Sequence, residues 1–333
     1  MKKSATIYDV SEMAGVSTAT VSRVLNDPGK VSEKTRKRVE DAIEALGYKP
    51  LLEVRLRSTK DVTRICVCSP HFTSQSFVQR LRGISNELQT YKETVELQIF
   101  SVTSASLLSA FIETLPMRGL DGVIFLSLEL SEEQIRKINE YGVACVTVER
   151  ETALCSTIIN DNFEGGCMAA RYLIEKGYRD FGLLCEPYQW DYTVYTMAAR
   201  KEGYISELKA NGFTLEEKNI FNNHLVYEDV KTQMTEVFRS GQFPKAIFAT
   251  ADIMAFGMIS AALDCGLKPG KDIAIIGFDD LDFSDVLGLT TISQHLDESG
   301  RIGVRLLMNK IHQPESPDQH VKLDLTVIER TSV

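Results

Sequence analysis

The residues near the N-terminus that could carry chemistry are hydroxyl-bearing side chains and one arginine. Thr18, Thr20 and Ser22 provide the hydroxyls, Ala19 lies between them, and Arg23 follows. Hydroxyls can bond phosphate oxygens or base edges, and arginine can bond guanine through two parallel hydrogen bonds, which contributes roughly 1–3 kcal/mol of discrimination. The pattern indicates contact with duplex nucleic acid. The alternative is a helical hairpin with an ordinary polar face.

A second pair of candidate residues lies in the C-terminal half of the chain. Asp279 directly follows the apolar run 273–278, so its carboxylate emerges at the carboxyl end of a predicted strand and can accept two ligand hydroxyl hydrogens. Arg200 lies in the first turns of a predicted helix and offers a planar fork of donors. The alternatives are a helix-capping acid for Asp279 and a surface ion pair for Arg200.

Three short helices are predicted around the first set. Thr6-Ile7-Tyr8-Asp9 is a Thr-x-x-Asp helix start, Gly15 can adopt the positive φ of a turn, and Ser17 is a predicted N-cap for the helix 18–25. A third helix is predicted over about 32–46. Two short helices joined by a glycine-containing turn form a helix-turn-helix, whose second helix fits a major groove.

Charge is divided unevenly along the 333 residues. Residues 1–60 hold 12 Lys or Arg and 8 Asp or Glu, a net of +4, whereas the remaining 273 residues hold 25 and 38, a net of −13. A basic head on an acidic body implies that only the head meets a polyanion. A chance fluctuation is the alternative, because +4 is modest.

Composition restricts the class of protein. The chain is 44% hydrophobic and 25% charged, contains no apolar run near the length of about 18 residues that a membrane span needs, and begins without an apolar leader. Its seven cysteines are scattered through apolar segments, which suits a reducing compartment. We therefore expect a soluble, cytoplasmic protein with no membrane partner.

After residue 61, short apolar runs alternate with amphipathic helices, which predicts parallel sheets covered on both faces and two doubly wound lobes. The predicted strands are 64–69, 95–100, 122–127, 144–148, 181–185, 246–250 and 273–278. The predicted helices are 77–88, 105–115, 132–141, 163–176, 196–211, 229–239 and 253–265. No phosphate-binding glycine loop, nucleophile elbow or zinc-ligand spacing is present, so we expect no enzyme, no cofactor and no metal.

The N-terminal motifs closely resemble the DNA-binding head of the lactose-repressor/galactose-repressor (LacI/GalR) family. The matching segments are 6–10, 15–17, 20–26 and 31–36. The resemblance implies that Thr18, Ala19 and Arg23 stand at base-reading positions. It places near phosphates Tyr8, Ser17, Thr20, Ser22 and Asn26. The implied partner is a pseudo-palindromic, double-stranded DNA operator bound by a homodimer.

The resemblance also implies domain boundaries: a head over 1–50, a hinge or linker over 51–61, and a core over 62–333. In the family, a hinge helix pushes a leucine into the minor groove, and Leu56 is the candidate wedge here. The segment departs from the family pattern, since it lacks Asn after Pro50 and is about one residue shorter. Leu52 is therefore an alternative wedge, and a plain charged linker is another reading.

The body resembles the family's effector-binding core, a type I periplasmic-binding-protein-like fold. The implied fold class is thus a small all-α helix-turn-helix head plus an α/β two-lobed core. The family's chain crosses between the lobes three times, which we expect near Tyr178, Ser293 and Lys322. This gives an N-lobe of 62–178 plus 293–322 and a C-lobe of 179–292 plus 323–333.

The resemblance assigns an effector site between the lobes for a small molecule, most often a sugar or sugar derivative, with nucleosides as an alternative. Arg200 and Asp279 match effector-gripping positions, and Ser76 and Phe77 match an N-lobe position that often supplies an aromatic ring; Phe77 as a core aromatic is the alternative. We expect the remaining wall to include Tyr195 and Thr196. Trp190 is a further loop candidate.

The sequence therefore favours an effector-controlled transcriptional regulator, and in particular a repressor. A solute-binding protein with a vestigial head is one competing hypothesis, and a sugar hydrolase or kinase is another. The missing leader and the intact head oppose the first, and the absence of a catalytic constellation opposes the second.

Overall fold

The computed structural model describes residues 7–26, 31–46, 62–70, 72–187 and 194–333. The linker 51–61, with Leu56 and Leu52, and Trp190 lie outside the described residues.

The head consists of short helices capped by hydroxyl side chains. They are α1 (Ile7–Ala14), α2 (Thr18–Asn26) and α3 (Glu33–Leu46). Ser17 Oγ accepts a hydrogen bond from the backbone N–H of Thr20 at 3.2 Å, and Ser32 Oγ accepts one from Thr35 N–H at 3.4 Å, so each hydroxyl satisfies a free donor of the first turn. Gly15 has φ 61°, as the turn requires.

The head has its own small apolar core. Its fully or almost fully buried members are Val10, Ala14, Val21, Val24, Val39 and Ala42. Arg38 of α3 donates to the carbonyls of Ala14 and Gly15, which lie at the free C-terminal end of α1. The third helix thus fixes the turn between the first two, and this sets the angle at which α2 is presented.

The body contains two mainly parallel sheets. The first has the strand order β11-β5-β4-β3-β1-β2 and the second β12-β10-β9-β8-β6-β7; among the described strands, only the β10–β12 pair is antiparallel. The strands of the first sheet are β1 (Val62–Ser69), β2 (Thr94–Ser101), β3 (Gly122–Leu126), β4 (Ala144–Val148), β5 (Ser156–Asn160) and β11 (His320–Leu323). Those of the second are β6 (Phe181–Cys185), β7 (Ile220–Asn222), β8 (Ala246–Ala249), β9 (Ala274–Asp279), β10 (Thr290–Ser293) and β12 (Thr326–Ile328).

Helices cover both faces of each sheet, as near-continuously buried strands such as β3 and β9 require. They are α4 (Gln75–Leu88), α5 (Ala105–Arg118), α6 (Glu132–Glu140), α7 (Asn162–Glu175), α8 (Val194–Ala210), α9 (Tyr227–Arg239), α10 (Asp252–Asp264), α11 (Asp282–Val286) and α12 (Leu296–His312). Among the described ranges, no helix is both long and apolar enough to span a membrane.

The chain passes between the lobes at 160–162, 293–296 and 323–326. Helix α7 packs its buried side chains against Phe181, Tyr204 and Phe278 of the second sheet's layer, so it belongs to the C-lobe. The expected crossing near Tyr178 is therefore too late, because the strand β5 and the helix that follows it lie in different lobes. The second and third crossings fall close to the expected Ser293 and Lys322.

In each lobe, glycines bring the backbones of two cleft-forming helices together. In the C-lobe, a Cβ on Gly166 of α7 would lie 1.9 Å from the Arg200 carbonyl oxygen of α8, and one on Gly203 would lie 1.9 Å from that of Phe163. In the N-lobe, Gly83 of α4 faces α12 in the same way. These contacts fix where α8 and α4 present their side chains.

The cysteines are free thiols, and those in β1 are core residues. Cys66 and Cys68 share one face of the strand with their sulfur atoms 3.9 Å apart, and both are buried. Burial raises the pKa of Cys68, which disfavours a thiolate ligand. The described residues contain no cluster of three metal-ligating side chains.

Candidate DNA-binding face and effector cleft

Helix α2 presents a polar face on the side opposite to the head's core. Val21 and Val24 are buried, whereas Ala19 and Arg23 are exposed and lie four residues apart, so they share the solvent side. Thr18 and Thr20 are half-buried at the edges of this face. A small residue beside an arginine leaves the helix slim enough to approach base edges in a major groove.

Further polar groups surround the start of α2. The Ser17 and Thr20 hydroxyls lie 2.9 Å apart, and Ser17 is exposed. Tyr8 of α1 is 58% exposed. Ser22 and Asn26 lie within α2, but their side chains are outside the described part of the structure. The described groups match the type that positions a protein on phosphates.

A cleft of about 330 Å³ lies between the two lobes, a size within the range of small-molecule sites. Its walls come from the carboxyl ends of strands and from the first turns of α4 and α8, as expected for doubly wound sheets. The charged and amide side chains that line it are Arg80, Glu149, Arg200, Asp279, Gln75 and Gln294.

Arg200 forms the C-lobe wall and is 2% exposed. Its Nε donates to Asn162 Oδ1 at 2.8 Å, and its Nη1 donates to the Thr250 carbonyl at 2.8 Å and lies 3.4 Å from Asp279 Oδ1. The guanidinium stacks on Phe278, 3.7 Å from the ring centroid. These contacts lock a side chain that would otherwise be flexible.

Asp279 lies at the end of β9 and faces Arg200. Burial raises the pKa of Asp279 to about 7, while the charge of Arg200 opposes that rise. Burial also lowers the pKa of Arg200. Each pKa shift favours the neutral form of its side chain, so the desolvation penalty of burying the pair exceeds the stabilisation from their mutual attraction. Such an arrangement is typical of a site completed by a ligand.

The N-lobe wall is a second buried ion pair. Arg80 of α4 is 1% exposed and pairs with Glu149, which also accepts a hydrogen bond from Ser127 Oγ. Burial alone would raise the pKa of Glu149, but Arg80, Ser127 and Arg200 together lower it. Glu149 is therefore an ionised, hydrogen-bonded carboxylate at neutral pH.

Gln294 joins the two walls at the second crossing. Its Nε2 donates to Asp279 Oδ1 at 2.6 Å, and its Oε1 accepts from Arg80 Nη2 at 3.2 Å. A continuous polar chain thus runs from the N-lobe to the C-lobe through one amide. At the rim, Arg82 of α4 pairs with Asp282 of the C-lobe and Asp297 of α12.

The backbone is strained where this chain of side chains is assembled. Ser127, Glu149 and Asp279 have φ values of 55°, 71° and 127°, which non-glycine residues rarely adopt. Each such conformation costs on the order of 1–3 kcal/mol and persists where the surroundings enforce it, often in binding sites.

Two family models match the chain. The model described as "Bacterial regulatory proteins, lacI family" matches residues 6–50, and the "Periplasmic binding protein-like domain" matches 170–333. The HTH-type transcriptional repressor PurR of Pectobacterium carotovorum subsp. carotovorum (strain PC1) is 30% identical over 99% of this chain and 97% of its own length. The chain belongs to the LacI family of bacterial regulatory proteins. PurR of Photorhabdus laumondii is 29% identical over the same shares.

Solved structures of other LacI-family regulators have the same fold. A transcriptional regulator CelR–cellobiose complex matches 99% of this chain and all of its own at 25% identity and a TM-score of 0.66. The lac repressor dimer bound to operator and the anti-inducer ONPF matches 99% of both chains at 24% identity and a TM-score of 0.70. The predicted family and fold class are confirmed, and this chain is a DNA-binding transcriptional regulator with an effector-binding core.

Most predicted cleft residues line the cleft, and one does not. Ser76, Phe77, Thr196, Arg200 and Asp279 all contribute to its walls. Phe77 also packs into the N-lobe core, so both interpretations of this ring apply. Tyr195 is 63% exposed, lines a neighbouring groove and stacks over Arg150, 4.5 Å from ring centroid to guanidinium carbon. Adjacent helical positions differ by about 100°, so Tyr195 and Thr196 cannot face the same way.

Among the cleft residues that sequence reasoning missed are those of its buried polar network: Arg80, Ser127, Glu149 and Gln294. Glu149 directly follows the apolar strand β4, and Asp279 is the last residue of β9, so the same argument would have found Glu149. Arg80 lies three residues after Phe77 and four before Ile84, on the buried face of α4, where an unpaired charge is too costly. A charge on an apolar helical face was the available signal.

Proposed function

We propose that this protein represses transcription from a pseudo-palindromic operator and that a small molecule bound between its lobes controls the affinity. The observation that carries the proposal is the polar chain Arg80–Gln294–Asp279, which crosses the cleft and belongs to both lobes. A ligand that completes that chain favours one arrangement of the lobes over another. The size of this shift in the lobe equilibrium is limited by the difference in the ligand's affinity for the two arrangements.

For the head, we assign base reading to the face of α2 formed by Thr18, Ala19 and Arg23. Tyr8, Ser17 and Thr20, with Ser22 and Asn26, are assigned to phosphates and Leu56 to the minor groove. The proposed division is a head over 1–50, a linker over 51–61 and a core of two lobes. A regulator of chromosomal genes works in the cytoplasm, where free cysteines stay reduced.

For the cleft, we assign a sugar derivative as the effector. Arg200 and Asp279 present donors and an acceptor side by side, which suits vicinal hydroxyl groups, and Phe77 supplies an apolar ring opposite them. Cellobiose and ribose are the ligands in two solved structures of the fold.

We place the homodimer surface on α4 and α11. The exposed apolar residues here are Val78, Phe283, Val286 and Leu287, and Val286 is 79% exposed. They lie together because Arg82, one turn after Val78, bonds Asp282, the neighbour of Phe283. An apolar patch shared by both lobes suits a two-fold interface that senses lobe orientation.

Selection of genomic fragments by the purified full chain, followed by gel-shift titration, tests the function. We expect one pseudo-palindromic sequence to be bound at least about a thousandfold more tightly than random duplex, with affinity falling steeply as salt rises. Equal affinity for every fragment, in the presence and absence of metabolite extracts, would contradict the proposal.

A further inference from the structure

We propose that the effector is a small hydroxylated oxyanion, a sugar derivative with a carboxylate or phosphate group held between Arg80 and Arg200. This inference rests on the proposed function, because it names the ligand class of the same cleft.

Each arginine leaves one amino group without a protein partner among the described residues. Arg80 uses Nε for Ser299 Oγ and Nη2 for Glu149 and Gln294, which leaves Nη1. Arg200 uses Nε and Nη1 for Asn162, Thr250 and Asp279, which leaves Nη2. Both residues line the cleft, one from each lobe, so a ligand can receive donors from two sides.

The acidic groups are not equally available to a ligand. One Glu149 oxygen accepts from Arg80 and the other from Ser127, so both are already engaged. Asp279 accepts hydrogen bonds from Gln294 and Arg200 through Oδ1, and its Oδ2 has no hydrogen-bond partner among the described residues. The cleft thus presents two cationic donors and one acceptor, which matches an anion that also carries a hydroxyl.

The charge balance favours an anion over an uncharged sugar. Burial lowers the pKa of Arg200, the nearby carboxylates Asp279 and Glu149 raise it, and the charge of Arg80 lowers it, so the two guanidinium groups repel each other across the cleft. Burial also leaves Asp279 only partly ionised near neutral pH. An oxyanion between the arginines would neutralise excess positive charge, and its oxygens fit the flat fork of guanidinium donors.

Arg80 is the residue that makes the cleft specific for anionic ligands. Arg80 is held on its apolar helix by Ser299 and Glu149, so its free amino group has a fixed direction. A hydrophobic residue there would leave Arg200 and Asp279 to bind hydroxyls alone.

Inorganic phosphate is a probe that does not depend on knowing the effector. The thermal midpoint of the full chain is measured with increasing phosphate against chloride at equal ionic strength. We expect a saturable rise in the midpoint, because a ligand of the folded state stabilises it by mass action. The variant is Arg80→Leu with Glu149→Gln, since removing Arg80 alone would leave a buried carboxylate without its counter-charge.

In the double variant we expect the half-saturating phosphate concentration to increase about tenfold or more, as for loss of a charge-assisted hydrogen bond. Arg136→Leu removes an exposed N-lobe cation and should respond as the unmodified protein does. No saturable response in the unmodified protein, or an equal response in the double variant, would overturn the proposal.

Matched ligand pairs then separate the two anionic sources. Galacturonate against galactose tests a carboxylate, glucose 6-phosphate against glucose tests a phosphate, and adenosine serves as an uncharged heterocycle. We expect at least one acid to stabilise the chain more than its uncharged partner. A response only to uncharged compounds refutes the inference while leaving the regulator intact, whereas anion binding without operator selectivity refutes the proposed function alone.

Discussion

Replacing Gly166 by alanine should destabilise the C-lobe and impair the effector site together. The new Cβ would lie 1.9 Å from the Arg200 carbonyl oxygen and 2.7 Å from the Tyr204 nitrogen, both backbone atoms that cannot rotate away. Helices α7 and α8 must therefore separate by roughly 1.5 Å to restore ordinary contact. That movement displaces Arg200 from Asn162, which lies on α7 one turn before the substitution.

The magnitude follows from two opposing effects. Overpacking costs about 1–3 kcal/mol, and alanine recovers about 0.5–1 kcal/mol of helix propensity. We expect a net loss of about 1–2 kcal/mol. For a core of this size that corresponds to a decrease in thermal midpoint of about 2–8 °C.

Gly303→Ala is the matched control, because Gly303 also lies inside a helix, α12. A Cβ there would meet only Ile124 and Val148 side-chain atoms, the nearest at 3.7 Å, which is ordinary contact. The propensity gain should then raise the midpoint by about 1–4 °C. Thermal unfolding of the two full-length variants by calorimetry decides the matter. Shifts of the same sign and size would refute the close α7–α8 approach.

Further perturbations test the head, the cleft and the dimer surface. Arg23→Ala should lower the ratio of operator to random-duplex affinity by about tenfold or more in gel-shift titration, and an unchanged ratio would contradict base reading. Asp279→Ala should still bind the operator, but the effector should no longer change its operator affinity; a normal response to effector titration would contradict a role for Asp279 in effector binding. Burial raises the pKa of Asp279 to about 7, so the folded protein holds a proton there that the unfolded chain releases, and the free energy of unfolding should fall as pH rises from about 4 to 7. Asp279→Asn should flatten this pH dependence in denaturant titrations, and an unaltered slope would contradict the raised pKa of Asp279. Val286→Glu should produce monomers in sedimentation measurements, whereas Met117→Glu, at a similarly exposed position of α5, should not.

The alternation of apolar runs and amphipathic helices was sufficient to predict the two-lobed α/β core. It missed the long helix α12, where Gly300 and Gly303 weaken the local helical signal. Gly300 is required because a Cβ there would lie 2.3 Å from the Arg80 carbonyl oxygen. It also missed β5 and the short strands β7, β10, β11 and β12, the last four of which contain too few residues to show a period. Tertiary packing, rather than local preference, determines these elements.

The same limit explains the errors at the cleft. Asp279 and Arg200 were found because one follows an apolar strand and the other matches a family position. Arg80 was missed because a cation is unexpected on a buried helical face. Its counter-charge there is Glu149, which lies 69 residues away in the sequence, so local patterns do not reveal the pair. The first crossing was placed too late because the sequence does not show that Gly166 brings α7 onto α8 rather than onto the first sheet.

The geometry of the crossings explains why a ligand in this cleft can change the relation between the lobes. Asn160, at the first crossing, donates through Nδ2 to the carbonyl of Gln294 at the second, at 3.4 Å, and to that of Leu323 at the third, at 3.1 Å. One buried amide therefore ties the three passages together, and we propose it as the pivot about which the lobes rotate. Arg80 and Arg200 line the cleft from different lobes, and Gln294 contacts both Asn160 and Asp279 in the cleft. A bound molecule that spans the arginines contacts both lobes at once, so its affinity depends on their angle, as a population shift requires.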